Sequence, residues 1–510
     1  MTTKMNRRGF LATTGAAAGT LSFLGTKGAF AQDGGTLRFG LSAYPPSFDI
    51  WTSSGTAAGT IKMMCHRGLV GYDKDGVMQG ELAESWEVSE AGDWTFHLRD
   101  ALWHDGTPVT AEDVAWTVLE AQKPDSAAYL QGQLASITSV ETPDAKTVIM
   151  KTAEPQAVLP GWFASYNMCI AKKGSERDSL MGAGPFKLAS VDRGVSISVV
   201  ANPDYYKEGM PKVAGIDAIV YADENLRVAA LEAGDVDVVE YVPWQAMAQI
   251  DDNAELQLDT TFGPFMYLTF NATKAPFDNP LVRRAIGHAI KREDIAAAAF
   301  YERGAPLEHL PIADASEFYN ADLANEWSYD PEKAKALLAE AGYPDGFDCT
   351  MLSTAQYGMH QSTAEVCQAY LSMIGVNVTL DLPEWSTRVK KGNEGAYDIA
   401  VMGTAADNND PDGLANVVDG ALPLSYVRSY GLETPEISAL FAKGRASFDT
   451  EERKAIYKEL EQIAIDTAPI MGLCWREQGY GLAGNVSGFS NMPGQLTFYS
   501  GFTLEAAMLG

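Results

Sequence analysis

Strand and helix signals alternate along this chain of 510 residues, and that alternation restricts it to a mixed α/β architecture. Trp94-Thr95-Phe96-His97-Leu98 alternates apolar and polar side chains, as a half-buried strand does. Asp105-Gly106-Thr107-Pro108 supplies turn residues, and Thr110 then opens a helix with Glu112 and Asp113 in its first turn. A further helix around Arg227 to Ala233 stops at Gly234, and Val236-Asp237-Val238 resumes a strand. Asp278-Asn279-Pro280 and Asp330-Pro331 each put a capping side chain before a proline suited to the first helical position. Asp449 with Glu452 caps a helix whose Ile456, Leu460, Ile463 and Ala464 form one apolar stripe.

A chain this long exceeds a single core, yet no Pro-rich or Gly/Ser-rich linker separates independently tethered domains. Two or three lobes in contact are expected, with a ligand cleft at their juncture. At the N-terminus, Asn6-Arg7-Arg8-Gly9-Phe10-Leu11 precedes a weakly apolar stretch to Leu24, then Lys27 and Ala29-Phe30-Ala31. Paired Arg7 and Arg8 followed by Phe-Leu fit a twin-arginine export signal, and Ala-x-Ala predicts cleavage after Ala31. Residues 1–31 hold four basic side chains and no acid, so removing them takes the net charge from -29 to -33. That acidity speaks against nucleic acid and anionic lipid as partners, and it serves either solubility or the steering of cationic ligands. The five cysteines, at 65, 169, 349, 367 and 474, have no Cys-x-x-Cys spacing and specify no disulfide.

Motifs that carry chemistry are missing from the sequence. There is no Gly-x-Ser-x-Gly elbow, no phosphate-cradling Gly-x4-Gly-Lys-Ser/Thr loop and no His-Glu-x-x-His helix. Pro185 spoils Gly182-Ala183-Gly184 as a dinucleotide fingerprint, and the six histidines never pair at i, i+4. No catalytic residue, metal site or cofactor is expected.

Several blocks nonetheless occur in an order that resembles the family 5 extracellular solute-binding proteins, the peptide- and nickel-binding group of ABC importers. They are 80–86, 94–99 with 105–114, Gly182 to Leu188, Asn202-Pro203-Asp204-Tyr205-Tyr206, Pro276-Phe277-Asp278 with 282–286, and Ala334 to Tyr343. The resemblance covers nearly all of the chain beyond residue 31. It implies a bilobed periplasmic binding protein clamshell of type II, cluster C, with an extra subdomain in the first lobe. The implied division is lobe I from 33–65, 184–270 and 478–510, an inserted subdomain over 66–183, and lobe II over 271–477. It further implies a monomer in the periplasm that takes a small-molecule ligand to an ABC permease.

Site residues follow from the same resemblance. Asp407 ends a strand-like run, Tyr397 to Gly403, and matches an aspartate that pairs with the ligand's α-ammonium in peptide-binding relatives. Thr404 and Asn408 flank it, while Asp410 before Pro411 has the look of a turn residue. Trp385 matches a cleft tryptophan, Tyr241 and Trp244 follow a strand end, and Trp475 with Arg476 matches an aromatic run lining the cleft. Ser54, Gly55 and Thr56 align with a loop whose backbone touches ligand, and Gly55 permits close approach. Val401 and Gly392 stand where carboxylate-binding arginines are expected, so recognition of free peptides departs from the pattern, and Arg476 is the candidate replacement as anion partner. Arg388, Lys390 and Lys391 form a charge run expected to face solvent. Two functions are therefore weighed: a receptor for an amine-bearing solute such as a peptide, opine or amino-acid derivative, and a twin-arginine-exported enzyme or carrier of a metal or haem chelate.

Overall fold

The structure is a computed structural model that describes residues 34–53, 55–314 and 316–510. Arg7, Arg8, the expected cleavage after Ala31, and Ser54 lie outside the described residues. Among those described, no helix is long and apolar enough to cross a membrane.

An 11-stranded sheet organises the molecule, and two long antiparallel strands run through its middle, Leu256–Phe270 and Met471–Ala483. At 15 and 13 residues they are more than twice the usual strand length, so they reach into both halves of the sheet. At one end Phe265 to Phe270 pairs with Ile399–Thr404, which pairs in parallel with Phe347–Leu352, itself parallel to Val376–Asp381. At the other end Gly481 and Leu482 pair with Val238–Val239, followed by Thr36–Leu41, Gly215–Val220, Ser196–Ala201 and Phe186–Asp192. Register shifts between Phe262 and Phe265 and between Met266 and Tyr267 interrupt the central ladder, and such irregularities bend a strand pair. A separate four-stranded sheet orders Ala83–Val88, Trp94–Leu98, Thr147–Thr152 and Ile137–Glu141.

Apolar burial falls into three large cores. One collects side chains from Val228 to Cys474, another from Ile50 to Ala183, and a third surrounds Leu37, Phe39, Ile216 and Val238. The C-terminal segment ties two of them together, because Leu496, Tyr499 and Phe502 enter the second core and Leu504 the third. A buried ionic cluster adds a specific joint between distant segments. Arg67 contacts Glu81 at 3.1 Å and Glu505 at 2.7 Å, and Lys207 reaches both carboxylates at 2.7 Å. Removing any one member leaves an unbalanced buried charge among the other three, which is why such clusters fix one arrangement of the segments they join. Glycine explains the Gly182-Ala183-Gly184 block: a Cβ on either glycine collides with the Cys65 backbone at the end of helix Thr56–Cys65.

The helix starts expected from local chemistry are where the sequence puts them. Asn279 accepts from Leu281 N at 2.9 Å, Asp330 from Lys333 N at 2.9 Å and Asp449 from Glu452 N at 2.8 Å. Thr110 and Asp113 form a reciprocal capping box. Helix Glu224–Glu232 ends before Gly234 at φ 72°. The strand expected from Val236 is shorter, Val238–Val239, because the Asp237 carboxylate turns back to accept from Arg38 N at 2.7 Å. All five cysteines are buried and unpaired.

Candidate functional site

Strand Ile399–Thr404 is buried along its first four residues and emerges at Gly403 and Thr404, so the chain leaves the core just before Asp407. The loop that follows separates two aspartates by their partners. Asp410 accepts from Asp412 N at 2.9 Å to cap the short helix Pro411–Leu414, and Arg453 neutralises it at 2.8 Å. It is the turn residue the sequence indicated. Asp407 instead accepts from Tyr129 Oη at 2.9 Å and from Asn416 Nδ2 at 2.8 Å, two neutral donors. Among the described residues no cation lies within ion-pair distance of it, and desolvation raises its pKa above the ordinary aspartate value.

Asp407, Thr404 and Asn408 line a cavity of about 750 Å³, a size that suits a small solute. Its other walls come from distant parts of the chain: Tyr129, Trp162, Asn416, Tyr426, Arg428 and Tyr499 among them. Four charged side chains line it: Asp407, Asp412, Arg428 and Arg445. Asp412 and Arg445 satisfy each other at 2.6 Å, although burial still pushes the Asp412 carboxyl up to about 6. Arg428 is 8% exposed and donates to the carbonyls of Asn416, at 2.5 Å, and of Pro423. No carboxylate pairs with it among the described residues. Asp419 acts on it only at longer range and is itself engaged by Ser438 Oγ at 2.5 Å and Ala421 N at 3.0 Å.

The remaining expected residues fall into groups beside this cavity. Trp385 begins helix Trp385–Asn393, with ring centroids 5.3 Å from Tyr357, 5.7 Å from His360 and 6.4 Å from the cavity residue Tyr426. Arg388 lies 4.9 Å from the Trp385 ring and is 1% exposed, which corrects its expected place in a solvated charge run. One helical turn buries it against Val401 O at 2.5 Å, whereas Lys390 remains exposed. Tyr241 and Trp244 meet at Arg476, whose Nη1 donates to Tyr241 Oη at 2.8 Å and whose guanidinium sits 5.7 Å from the Trp244 ring. Tyr241 holds a left-handed backbone, φ 54°, under Arg227, which donates to its carbonyl at 2.8 Å and to that of Glu240 at 3.0 Å. Arg476 is 4% exposed, and among the described residues its Nε has no acceptor. Trp475 packs 5.8 Å from Phe265, the residue in register with Thr404. Gly55 has φ 102° and open space where a Cβ would stand, and Thr56 begins the next helix. None of Trp385, Tyr241, Trp244, Trp475, Arg476, Gly55 or Thr56 lines the 750 Å³ cavity itself.

Tyr129, Asn416 and Arg428 had no signal in the sequence. Tyr129 and Arg428 lie in irregular segments and Asn416 in the short helix Ala415–Val418, none with a motif, and each reaches Asp407 or its cavity only through the fold. Among the described residues no group of three or more His, Cys, Asp or Glu side chains is arranged to hold a metal ion.

Comparison with known proteins yields consistent relatives. The profile of bacterial extracellular solute-binding proteins, family 5 middle region, matches residues 77–421. A solved structure of the PBP AgaA in complex with agropinic acid, from A.tumefacien R10, is 41% identical. It superposes with a TM-score of 0.85 over 93% of this chain and 99% of that one. Glutathione-binding protein GsiB of Salmonella typhimurium is 26% identical over 480 residues, covering 91% of this chain and 92% of that protein. The ABC transporter-associated periplasmic binding protein DppA from Helicobacter pylori, in complex with peptide STSA, shares the fold. It is 23% identical, with a TM-score of 0.80 over 93% of this chain and 98% of that one. The architecture is thus the bilobed one of periplasmic binding proteins.

Proposed function

This chain belongs to the bacterial extracellular solute-binding proteins of family 5, and from that premise we propose that it captures a small amine-bearing solute for an ABC importer. The solute class is a peptide, opine or amino-acid derivative, held in the cavity at Asp407 and delivered to a membrane permease. One observation carries this reading: Asp407 is a desolvated carboxylate with two neutral donors and, among the described residues, no cation in ion-pair contact, facing a cavity of about 750 Å³. A buried carboxylate in that state is completed by an ammonium, through a charge-assisted hydrogen bond. The 41% identical relative binds agropinic acid, which places opines in the panel to be tested.

Thr404 and Asn408 share the cavity wall with Asp407, and Trp385 supports it from behind Tyr426. The Tyr241, Trp244 and Arg476 cluster, Trp475 and the 54–56 loop complete the proposed cleft. Segments 33–65, 184–270 and 478–510 are assigned to one lobe, 66–183 to its inserted subdomain and 271–477 to the other. The protein binds its solute and does not transform it, acts as a monomer, and reaches the periplasm by the twin-arginine route with cleavage after Ala31. A thermal-shift screen with agropinic acid, dipeptides, glutathione, sugars and haem tests this reading. An amine-bearing solute should raise the melting temperature, with binding reproduced by calorimetry. A response confined to sugars or haem would overturn the assignment.

A further inference from the structure

The charges around the cavity carry a second statement about its solute. Of the four charged side chains in its wall, Asp412 and Arg445 close on each other at 2.6 Å, which leaves one carboxylate and one guanidinium without a direct ion pair among the described residues. Asn416 stands between these two. Its side-chain Nδ2 donates to Asp407 at 2.8 Å, and its backbone carbonyl accepts from Arg428 Nη1 at 2.5 Å. The negative and positive poles are therefore one residue apart on the same wall. Formal charges of the wall sum to zero, so a dipolar solute leaves the closed cavity neutral. A simple cation would leave Arg428 with only the longer-range field of Asp419, and a simple anion would leave Asp407 without a cation, each at the cost of a poorly compensated buried charge.

We propose that Asp407 and Arg428 form a dipolar seat that takes the ammonium and the carboxylate of one amino-acid-type head group, so that the solute is a zwitterion rather than a plain amine. This rests on the assignment of the cavity as the solute site. It assigns Arg428, in an irregular loop, the anion-binding role left open by Val401 and Gly392. Arginine suits the task because its planar guanidinium offers donors beyond the two that Asn416 and Pro423 occupy.

The test compares the protein amino acids and N-carboxyalkyl amino acids with two blocked forms of each, the carboxamide and the N-acetyl derivative. Thermal shift locates the best zwitterion, and calorimetry then ranks it against its own blocked forms. Each block is expected to weaken binding about 10- to 100-fold. Arg428→Gln should weaken the zwitterion to the level of its carboxamide while leaving carboxamide affinity unchanged, and Arg428→Lys should recover part of the loss. The blocked-ligand comparison needs only the unaltered protein, so a variant that fails to fold does not stall the test. A carboxamide that binds as well as its parent overturns the dipolar seat, as does a panel in which no zwitterion raises the melting temperature. If an amine without a carboxylate binds instead, the receptor assignment stands and the seat alone falls. If no amine of any kind binds, both fall.

Discussion

Asp407 and Asp410 are three residues apart in one loop, and their different fates show what a side chain's partners decide. Arg453 and a helix start consume Asp410, so it has nothing left to offer a solute. Asp407 has only neutral donors, and its raised pKa records a charge held at some cost. Asp407→Asn should therefore weaken a cationic solute by about 1.5 to 3 kcal/mol, the loss of a charge-assisted bond, in calorimetric titration. Because the carboxyl takes up its proton at higher pH than a free aspartate, the unaltered protein should lose affinity on acidification more steeply than the Asn variant, which keeps only the titration of the other wall carboxyl, Asp412. Equal affinity in both proteins would remove Asp407 from the site. Asp407 was legible before any coordinates, since an apolar run into Gly403 followed by acids marks a strand end. Arg428 was not, because its meaning depends on Asn416 and on the missing carboxylate beside it. Arg388 misled for a related reason: a charge run has no indication in sequence of which member turns inward, and one helical turn buries it while Lys390 stays in water.

At the scale of elements, whatever rests on a few consecutive residues was predictable. Helix starts at Thr110, Asn279, Asp330 and Asp449 follow from capping chemistry that spans four residues. Asp449→Ala should accordingly cost about 1 kcal/mol of stability in denaturant unfolding, with solute affinity unchanged, because helix Thr450–Thr467 stands away from the cavity wall. An unaltered midpoint would mean the cap contributes nothing there. Strand order is a different matter. Leu268 pairs with Met471 across some two hundred residues, and nothing local to either segment specifies the other. The two long central strands exist because both halves of the sheet need them, a requirement that arises only once the halves are assembled.

For the whole molecule, burial of titratable groups and closure around a solute set the behaviour. Desolvation lowers His66 and His360 from 6.5 to about 3 and His104 to about 4, so the native protein refuses protons that the unfolded chain accepts. Stability should be complete above about pH 6.5 and decline as the pH falls toward 4, by up to about 1.4 kcal/mol per pH unit for each imidazole. Asp412, raised to about 6, and the raised carboxyls of Asp407, Glu240 and Asp259 oppose the trend, while the lowered imidazole of His288 adds to it. A melting temperature that stays level over that range would contradict it. Closure follows from the same electrostatics. Contacts at and beside the cavity join segments distant in sequence: Tyr129 to Asp407, Gln495 to the backbone of Ala406 at 2.8 Å, and Ala157 N to Arg445 O at 2.6 Å. Without a solute these contacts must form over a carboxylate and a guanidinium that each lack a direct ion pair among the described residues, which penalises the closed state; the solute removes the penalty and so favours closure by its differential affinity. Small-angle scattering should then show a larger radius of gyration for the free protein than for the saturated one. Asp407→Asn removes half of the penalty without a solute, so the free variant should be more compact than the free unaltered protein although it binds more weakly. A free variant as extended as its parent would separate closure from the charge at Asp407 and leave the lobes to be held apart by other forces.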